Sequence, residues 1–349
     1  MRCTGSSLAD VVSAAAAVAQ AFRPAFATGF SILLHGENNG VTITGLFAAV
    51  ATPIQADGGI DFATFDRLID FLVEAGVSGV CLGGATGEYP HFETEDRKAI
   101  VRHAAQRLPR DRALLVGIGG PSVRHTIDLG DTALEAGSRG LLLPMPMFFR
   151  YGQEDLKAFC THVSDALRGP CLLYNLPGFT NGLEPDTVVS LLRNAEFIVG
   201  IKDSSGDVEN LTSFASARGD QPWTLLVGND SALYGGLQAG WNGGISGVAG
   251  FCPELLVALY RSHAEGRFDE AARLQVLLDE LISQIAPLPT PWGIRVGLAA
   301  RGIDTGPLPL PVSEARMSQI AEFRKWLPGW LAHNGLDRPV ARGAGIGCQ

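Results

Sequence analysis

From Gly45 onward the chain alternates short apolar runs with longer amphipathic segments, separated by polar turns. The apolar runs are Leu46–Thr52, Gly79–Gly83, Ala113–Ile118, Gly140–Pro144, Cys171–Asn175, Phe197–Lys202, Thr224–Gly228 and Gly243–Gly247. Their lengths and turn-rich borders predict fully buried strands. Between them, Phe62–Ala75, Glu93–Arg107, Val123–Ala136, Gln153–Leu167, Pro185–Arg193, Val208–Arg218 and Ala232–Ala239 carry helical periodicity, and Pro253–His263 completes the eighth unit. Buried strands that alternate with helices imply a parallel sheet covered by crossover helices. Eight such units in ~200 residues fit a closed (β/α)8 TIM barrel, an α/β fold, better than an open doubly wound sheet. No G-x-G-x-x-G follows the first run, which weighs against dinucleotide binding.

The barrel is expected over residues 45–265, followed by a helical region over 266–335 and a tail over 336–349. The later helical patterns, Phe268–Ile285, Trp292–Ala300 and Val312–Leu327, have no place in a ring of eight. They are expected to pack outside it and to build a subunit contact. Residues 1–44 read as a poorly ordered extension, because the Ala-rich Ser13–Ala21 segment lacks the strongly apolar core and basic start of a secretory signal. A start codon at Val41 would omit most of it, an expectation that an intact mass beginning well before residue 41 would remove.

Composition narrows the partners. A net charge of −9, a pI of about 5.3 and the lack of any basic cluster argue against nucleic acid or an anionic membrane surface. No apolar stretch reaches the ~18–20 residues of a membrane span. The six cysteines (Cys3, Cys81, Cys160, Cys171, Cys252 and Cys348) form no CxxC, and no histidine pair stands at ligand spacing. All six are expected to be reduced thiols of a cytosolic protein, with none binding a metal.

In such a barrel the active site lies at the carboxyl ends of the strands. Those ends carry Thr52, the turn Gly84-Ala85-Thr86-Gly87-Glu88, Pro144-Met145-Pro146, Tyr174-Asn175, Lys202-Asp203-Ser204, Gly228-Asn229-Asp230 and Ile245-Ser246-Gly247. Of the four lysines, Lys98, Lys157 and Lys325 fall in helical patterns, where a solvated role is the default, and Lys202 alone ends an apolar strand. Desolvation there would favour the neutral, nucleophilic amine needed to attack a ketone. The competing reading is an ion pair with Asp203 or Glu88. Tyr174 ends the neighbouring strand, close enough to shuttle a proton on the same substrate. Alternatively its ring caps the core with the hydroxyl in water. The Gly84–Glu88 turn could form an anion site from successive N–H groups and the Thr86 hydroxyl, suited to a carboxylate, although glycine-rich strand ends are common.

Taken together, Gly84-Ala85-Thr86-Gly87-Glu88, Tyr174-Asn175-Leu176-Pro177 and Gly200-Ile201-Lys202-Asp203-Ser204-Ser205-Gly206-Asp207 resemble the dihydrodipicolinate synthase / N-acetylneuraminate lyase superfamily. The resemblance runs from about Gly45 to Leu310 and includes the opening strand Phe47-Ala48-Ala49-Val50-Ala51-Thr52-Pro53. It implies a class I aldolase-type barrel, usually a tetramer, with Lys202 as the Schiff-base lysine and Tyr174 as the proton shuttle. It further implies that Thr86 and the backbone of Ala85 hold the 2-oxo acid carboxylate and that Ile245 lines the pyruvyl pocket.

Departures from the family pattern bear on the substrate. Ala85 stands where the synthase branch has a second threonine, Phe148 where it has a relay tyrosine, and Phe179 where an arginine grips its aldehyde substrate. A phenylalanine cannot make that bidentate contact, so dihydrodipicolinate synthase activity proper is disfavoured. Asn229 and Asp230 could bind sugar hydroxyls, yet Gly247 replaces a serine of the sialic acid lyase branch. Met145, Met147, Phe148, Phe149 and Phe179 suggest a distal pocket with substantial apolar surface, or else rim packing.

The resulting expectation is a lyase acting on a 4-hydroxy-2-oxo acid, giving pyruvate and an aldehyde, or running in reverse. No metal or organic cofactor is called for, because the imine is the electron sink. The nearest rival is a dehydratase of a 2-oxo-3-deoxy sugar acid using the same imine. A non-catalytic barrel that senses a 2-oxo acid is the rival from another class.

Overall fold

The computed structural model describes residues 43–337. The expectations for the N-terminal extension before residue 43 and for the tail from residue 338 lie outside the described residues. Eight strands form a closed barrel in sequential order: β1 (Gly45–Ala49), β2 (Gly79–Leu82), β3 (Ala113–Gly117), β4 (Gly140–Pro144), β5 (Cys171–Asn175), β6 (Ile198–Asp203), β7 (Thr224–Val227) and β8 (Gly243–Ser246). All pairings are parallel, and β8 closes on β1. The helices between strands are α1 (Phe62–Ala75), α2 (Thr94–Arg107), α3 (Val123–Glu135), α4 (Gln153–Leu167), α5 (Pro185–Asn194), α6 (Val208–Arg218) and α7 (Leu233–Gln238). After β8 come α8 (Pro253–Ala264), α9 (Phe268–Ile285), α10 (Trp292–Ala300) and α11 (Glu314–His333).

Local chemistry explains several of these boundaries. Asp61 caps α1 by accepting from the Thr64 amide at 3.0 Å, and Gly76 ends the helix in the left-handed region at φ 88°. Pro185 opens α5, where its missing N–H costs nothing. The predicted end of the last helix at Leu327 is overrun, because α11 continues through Pro328 to His333. Trp330 and Leu331 beyond the proline are buried, and their packing outweighs the hydrogen bond that the proline cannot donate.

Two apolar layers result. The barrel interior is filled by Ile43, Phe47, Ala49, Cys81, Leu115, Leu142, Leu172, Tyr174, Leu176, Leu226 and Ile245. Residues of the opposite strand faces, such as Leu46, Val80, Leu173 and Ile201, pack under the helices. A bulge in β6 decides which residues reach the inside. Ile198 and Ile201 both face the helical layer although three residues apart, and the β5–β6 register shifts between Cys171 and Leu172. A one-residue shift exchanges the two faces of a strand. Beyond the bulge Tyr174 pairs with Lys202 in register, so both side chains point into the barrel's open end.

Candidate active site

The strand ends bring Tyr174 and Lys202 together as designed by that register. Lys202 Nζ lies 4.1 Å from the centroid of the Tyr174 ring, and the two residues are 4% and 3% exposed. Such a cation–π contact fixes the amine without consuming it in an ion pair. Neither carboxylate that might have paired with Lys202 is available to it. Asp203 accepts from Asn175 Nδ2 and Ser205 Oγ, each at 2.8 Å. Glu88 accepts from Arg295 Nη1 at 2.6 Å. Among the described residues Lys202 forms no salt bridge. Gly228 keeps space around it, since a Cβ there would stand 2.8 Å from Lys202 Cε and closer still to Ser204 Oγ.

The turn after β2 lies against Tyr174. A Cβ on Gly84 would sit 3.9 Å from the Tyr174 hydroxyl. Within this turn the amides of Gly87 and Glu88 are spent on the Gly84 and Ala85 carbonyls. The amides of Ala85 and Thr86 have no partner among the described residues, and Thr86 is buried, leaving donors for an anion. Thr52 Oγ1 donates to the Gly87 carbonyl at 2.9 Å and holds the turn. Thr52 does not itself line the cavity. Glu88 adopts the left-handed conformation at φ 53°, unusual for a residue with a side chain, and its buried ion pair with Arg295 fixes it there. Arg295 also donates to the carbonyls of Thr305 and Pro307, tying the turn to the C-terminal region.

Lys202, Tyr174, Ala85, Thr86, Phe179, Asn229, Asp230 and Ile245 line one cavity of about 300 Å³. Asp230 Oδ2 accepts from the Val248 amide at 3.1 Å. Burial pushes the Asp230 carboxyl above the ordinary aspartate pKa, opposed by hydrogen bonds from Ser246, Val248 and Gly247 and by the Lys202 charge. A Cβ on Gly247 would meet Thr86 Oγ1 at 3.2 Å, so the glycine that departs from the sialic acid lyase branch leaves the threonine room. Burial also pushes the Cys81 thiol, inside the barrel, up to about 11, which keeps it protonated beside the site.

Other expected residues fall elsewhere. Phe148 is 92% exposed, at φ 73°, and does not line the cavity of this chain. Met145 is buried in the helical layer against Cys160, so it contributes nothing to a distal pocket. Lys98 is not a solvated helix lysine: it is buried and paired with Glu95 and Asp128. The C-terminal helices do more than pack outside the ring. Ile282, Ile285, Leu288, Pro289, Thr290 and Ile294, from the end of α9 through α10, roof the Lys202 cavity. Sequence reasoning named Ser204 only as a strand-end residue without a role; it lines the cavity, and its buried hydroxyl has no hydrogen-bond partner among the described residues. Its place two residues after Lys202 was the available signal. Among the described residues no group of three or more His, Cys, Asp or Glu could hold a metal ion, and no helix is long and apolar enough to cross a membrane.

An amine over a phenol, beside unpaired amides in one cavity, can hold a carboxylate and present a nucleophile to the adjoining carbon. Comparison with known proteins points the same way. The sequence pattern of the dihydrodipicolinate synthetase family matches residues 42–328. YagE of Escherichia coli K12, to which a 2-dehydro-3-deoxy-D-gluconate aldolase activity is provisionally ascribed, is 34% identical over 79% of this chain and 94% of its own. A 4-hydroxy-tetrahydrodipicolinate synthase of Aromatoleum aromaticum is 33% identical over 80% of this chain and 96% of its own. The crystal structure of YagE in complex with pyruvate superposes with a TM-score of 0.77 at 32% identity, covering 83% of this chain and 99% of that one.

Proposed function

Because this chain belongs to the dihydrodipicolinate synthetase family of class I pyruvate-dependent aldolases and lyases, we propose that it is a Schiff-base lyase that cleaves or forms a 4-hydroxy-2-oxo acid. The observation that carries this reading is the unpaired Lys202 amine over the Tyr174 ring, in a chamber shared with the Ala85–Thr86 turn. The pyruvate-bound YagE structure supports pyruvate as the keto half.

The carboxylate of the 2-oxo acid sits on the amides of Ala85 and Thr86 and the Thr86 hydroxyl, which places C2 at Lys202 Nζ. The amine adds to C2, and Tyr174 delivers the proton that lets water leave as the imine forms. The Tyr174 phenolate then takes the proton of the C4 hydroxyl. The C3–C4 bond breaks, its electron pair moves into the protonated imine to give an enamine, and C4 leaves as an aldehyde. Protonation at C3 and hydrolysis free pyruvate and the lysine. No metal or organic cofactor takes part. Phe179, at the cavity rim, offers no guanidinium, so synthesis of dihydrodipicolinate precursors is not the reading.

Asp230 favours one second reading. It lines the Lys202 cavity and burial raises its pKa, the direction that suits an acid assisting a departing hydroxyl, as in dehydration of a 2-oxo-3-deoxy sugar acid. Incubation with 2-oxo-3-deoxygluconate and mass analysis of the products decides between them. Pyruvate plus a three-carbon aldehyde supports the lyase, whereas an intact carbon skeleton lighter by one water supports the dehydratase.

The working unit we infer is a homo-oligomer, dimer or tetramer. Phe148, Phe149 and Tyr151 stand 92%, 63% and 44% exposed side by side, an aromatic patch that a partner copy would bury. The four described cysteines are buried and unpaired, in keeping with a cytosolic setting.

A further inference from the structure

The Lys202 chamber opens into a second, outer chamber of about 410 Å³, and Ala85, Leu176, Phe179, Pro289 and Thr290 belong to the walls of both. The shared walls make this outer space available to the far end of a substrate imine-linked at Lys202. The lining is largely apolar, but four charged or titratable groups interrupt it: Glu88, Tyr89, His91 and Arg316. Glu88 is neutralised by Arg295. Arg316 has no such counter-charge. Its Nη1 donates to two neutral acceptors, the Pro287 carbonyl and Gln319 Oε1, and it forms no salt bridge among the described residues. Nε and Nη2 of Arg316 are without a described partner. The outer chamber therefore holds a fixed positive charge that no carboxylate among the described residues pairs with.

Glu88 contributes a second feature. Its side chain is 4% exposed, and while Oε2 receives Arg295, Oε1 is buried without any hydrogen-bond partner. A buried carboxylate oxygen left unmade costs free energy until something donates to it. That oxygen is closed off from the chamber, so the polar feature the chamber presents to a bound tail is the uncompensated guanidinium of Arg316. A neutral alkyl or aryl tail leaves it unpaired, whereas a tail carrying a carboxylate pairs with it.

We propose that Arg316 is a specificity-determining residue that receives a carboxylate at the far end of the substrate. The preferred substrate is then a hydroxylated 2-oxo dicarboxylic acid, and the aldehyde half is an anionic one. Arg316 comes from α11, well outside the barrel. It supplies the positive charge that is missing at Phe179 on the wall of the same chamber. This inference rests on the lyase reading above and names the substrate class of that same site.

The test compares condensation of pyruvate with succinic semialdehyde and with butanal, in the wild type and in Arg316→Ala. A charge-assisted hydrogen bond corresponds to about a tenfold to hundredfold change in binding. Arg316→Ala should therefore lower kcat/KM for succinic semialdehyde by that factor, chiefly through KM, and leave butanal within about twofold. Equal losses for both aldehydes, or no loss for either, would overturn the proposal. Borohydride trapping of pyruvate on both proteins separates this outcome from failure of the lyase reading. Equal adducts show the inner chamber intact in the variant. Should no adduct form on the wild type, the lyase reading falls, and calorimetric titration with malate judges Arg316 directly. Binding at least tenfold weaker in Arg316→Ala upholds the anionic subsite, and unchanged binding refutes it.

Discussion

Tyr174 and Lys202 act on each other through the ring as well as through any shared substrate, and one substitution separates the two contributions. Tyr174→Phe keeps the aromatic face 4.1 Å from the amine and removes only the hydroxyl. The expected result is a fall in kcat of ~10²- to 10⁴-fold, the usual worth of a positioned acid/base. KM for pyruvate should change little, because the carboxylate contacts proposed here are made by Ala85 and Thr86. A steady-state comparison of the two proteins measures this, and an unchanged kcat would assign the proton transfers to another group, such as the unpartnered hydroxyl of Ser204. The strand-end position of Lys202 was legible in the sequence because a lone lysine closed an apolar run. Ser204 was less so, since a serine two residues on reads equally well as a turn residue until its hydroxyl is seen to lack a partner.

Among the elements, the turn after β2 depends most on distant support. Glu88 and Arg295 are 207 residues apart in sequence and both almost fully buried. Removing one member of a buried pair leaves the other charge uncompensated, at a cost of ~3–5 kcal/mol. Arg295→Ala should therefore lose about that much stability in urea denaturation, and Arg295→Met combined with Glu88→Gln should recover part of it. A loss below ~1 kcal/mol would mean that water or a rearranged turn relieves Glu88. No local pattern announces such a pair, which is why the sequence reading left Glu88 as a candidate partner for Lys202. The bulge in β6 was hidden for a related reason. Val199 and Gly200 look like ordinary strand residues, and only the barrel register shows that one of them is extra. Helix limits were clearer, because caps and prolines mark them locally. Pro185, Gln153 and Phe268 begin their helices where periodicity placed them, while tertiary packing carried α11 past Pro328.

At the scale of the whole molecule, the alternation of eight strands and helices made the barrel readable before any coordinates, since each unit repeats the same local pattern. The C-terminal helices were visible as helices, but their role as roof and outer chamber wall was not, because periodicity says which face is apolar and not what it covers. Phe148, exposed and left-handed, belongs to the aromatic patch proposed above as a subunit contact. Phe148→Asp should shift sedimentation towards the monomer, and an unaltered oligomer would place the subunit contact elsewhere. The central claim concerns Lys202, and one measurement addresses it most directly: incubation of the purified protein with pyruvate, reduction with borohydride, and peptide mapping by mass spectrometry. The account predicts a single reduced pyruvyl adduct, on Lys202 and absent from Lys202→Ala. A folded protein that yields no adduct, or an adduct on Lys98, Lys157 or Lys325 instead, would contradict it.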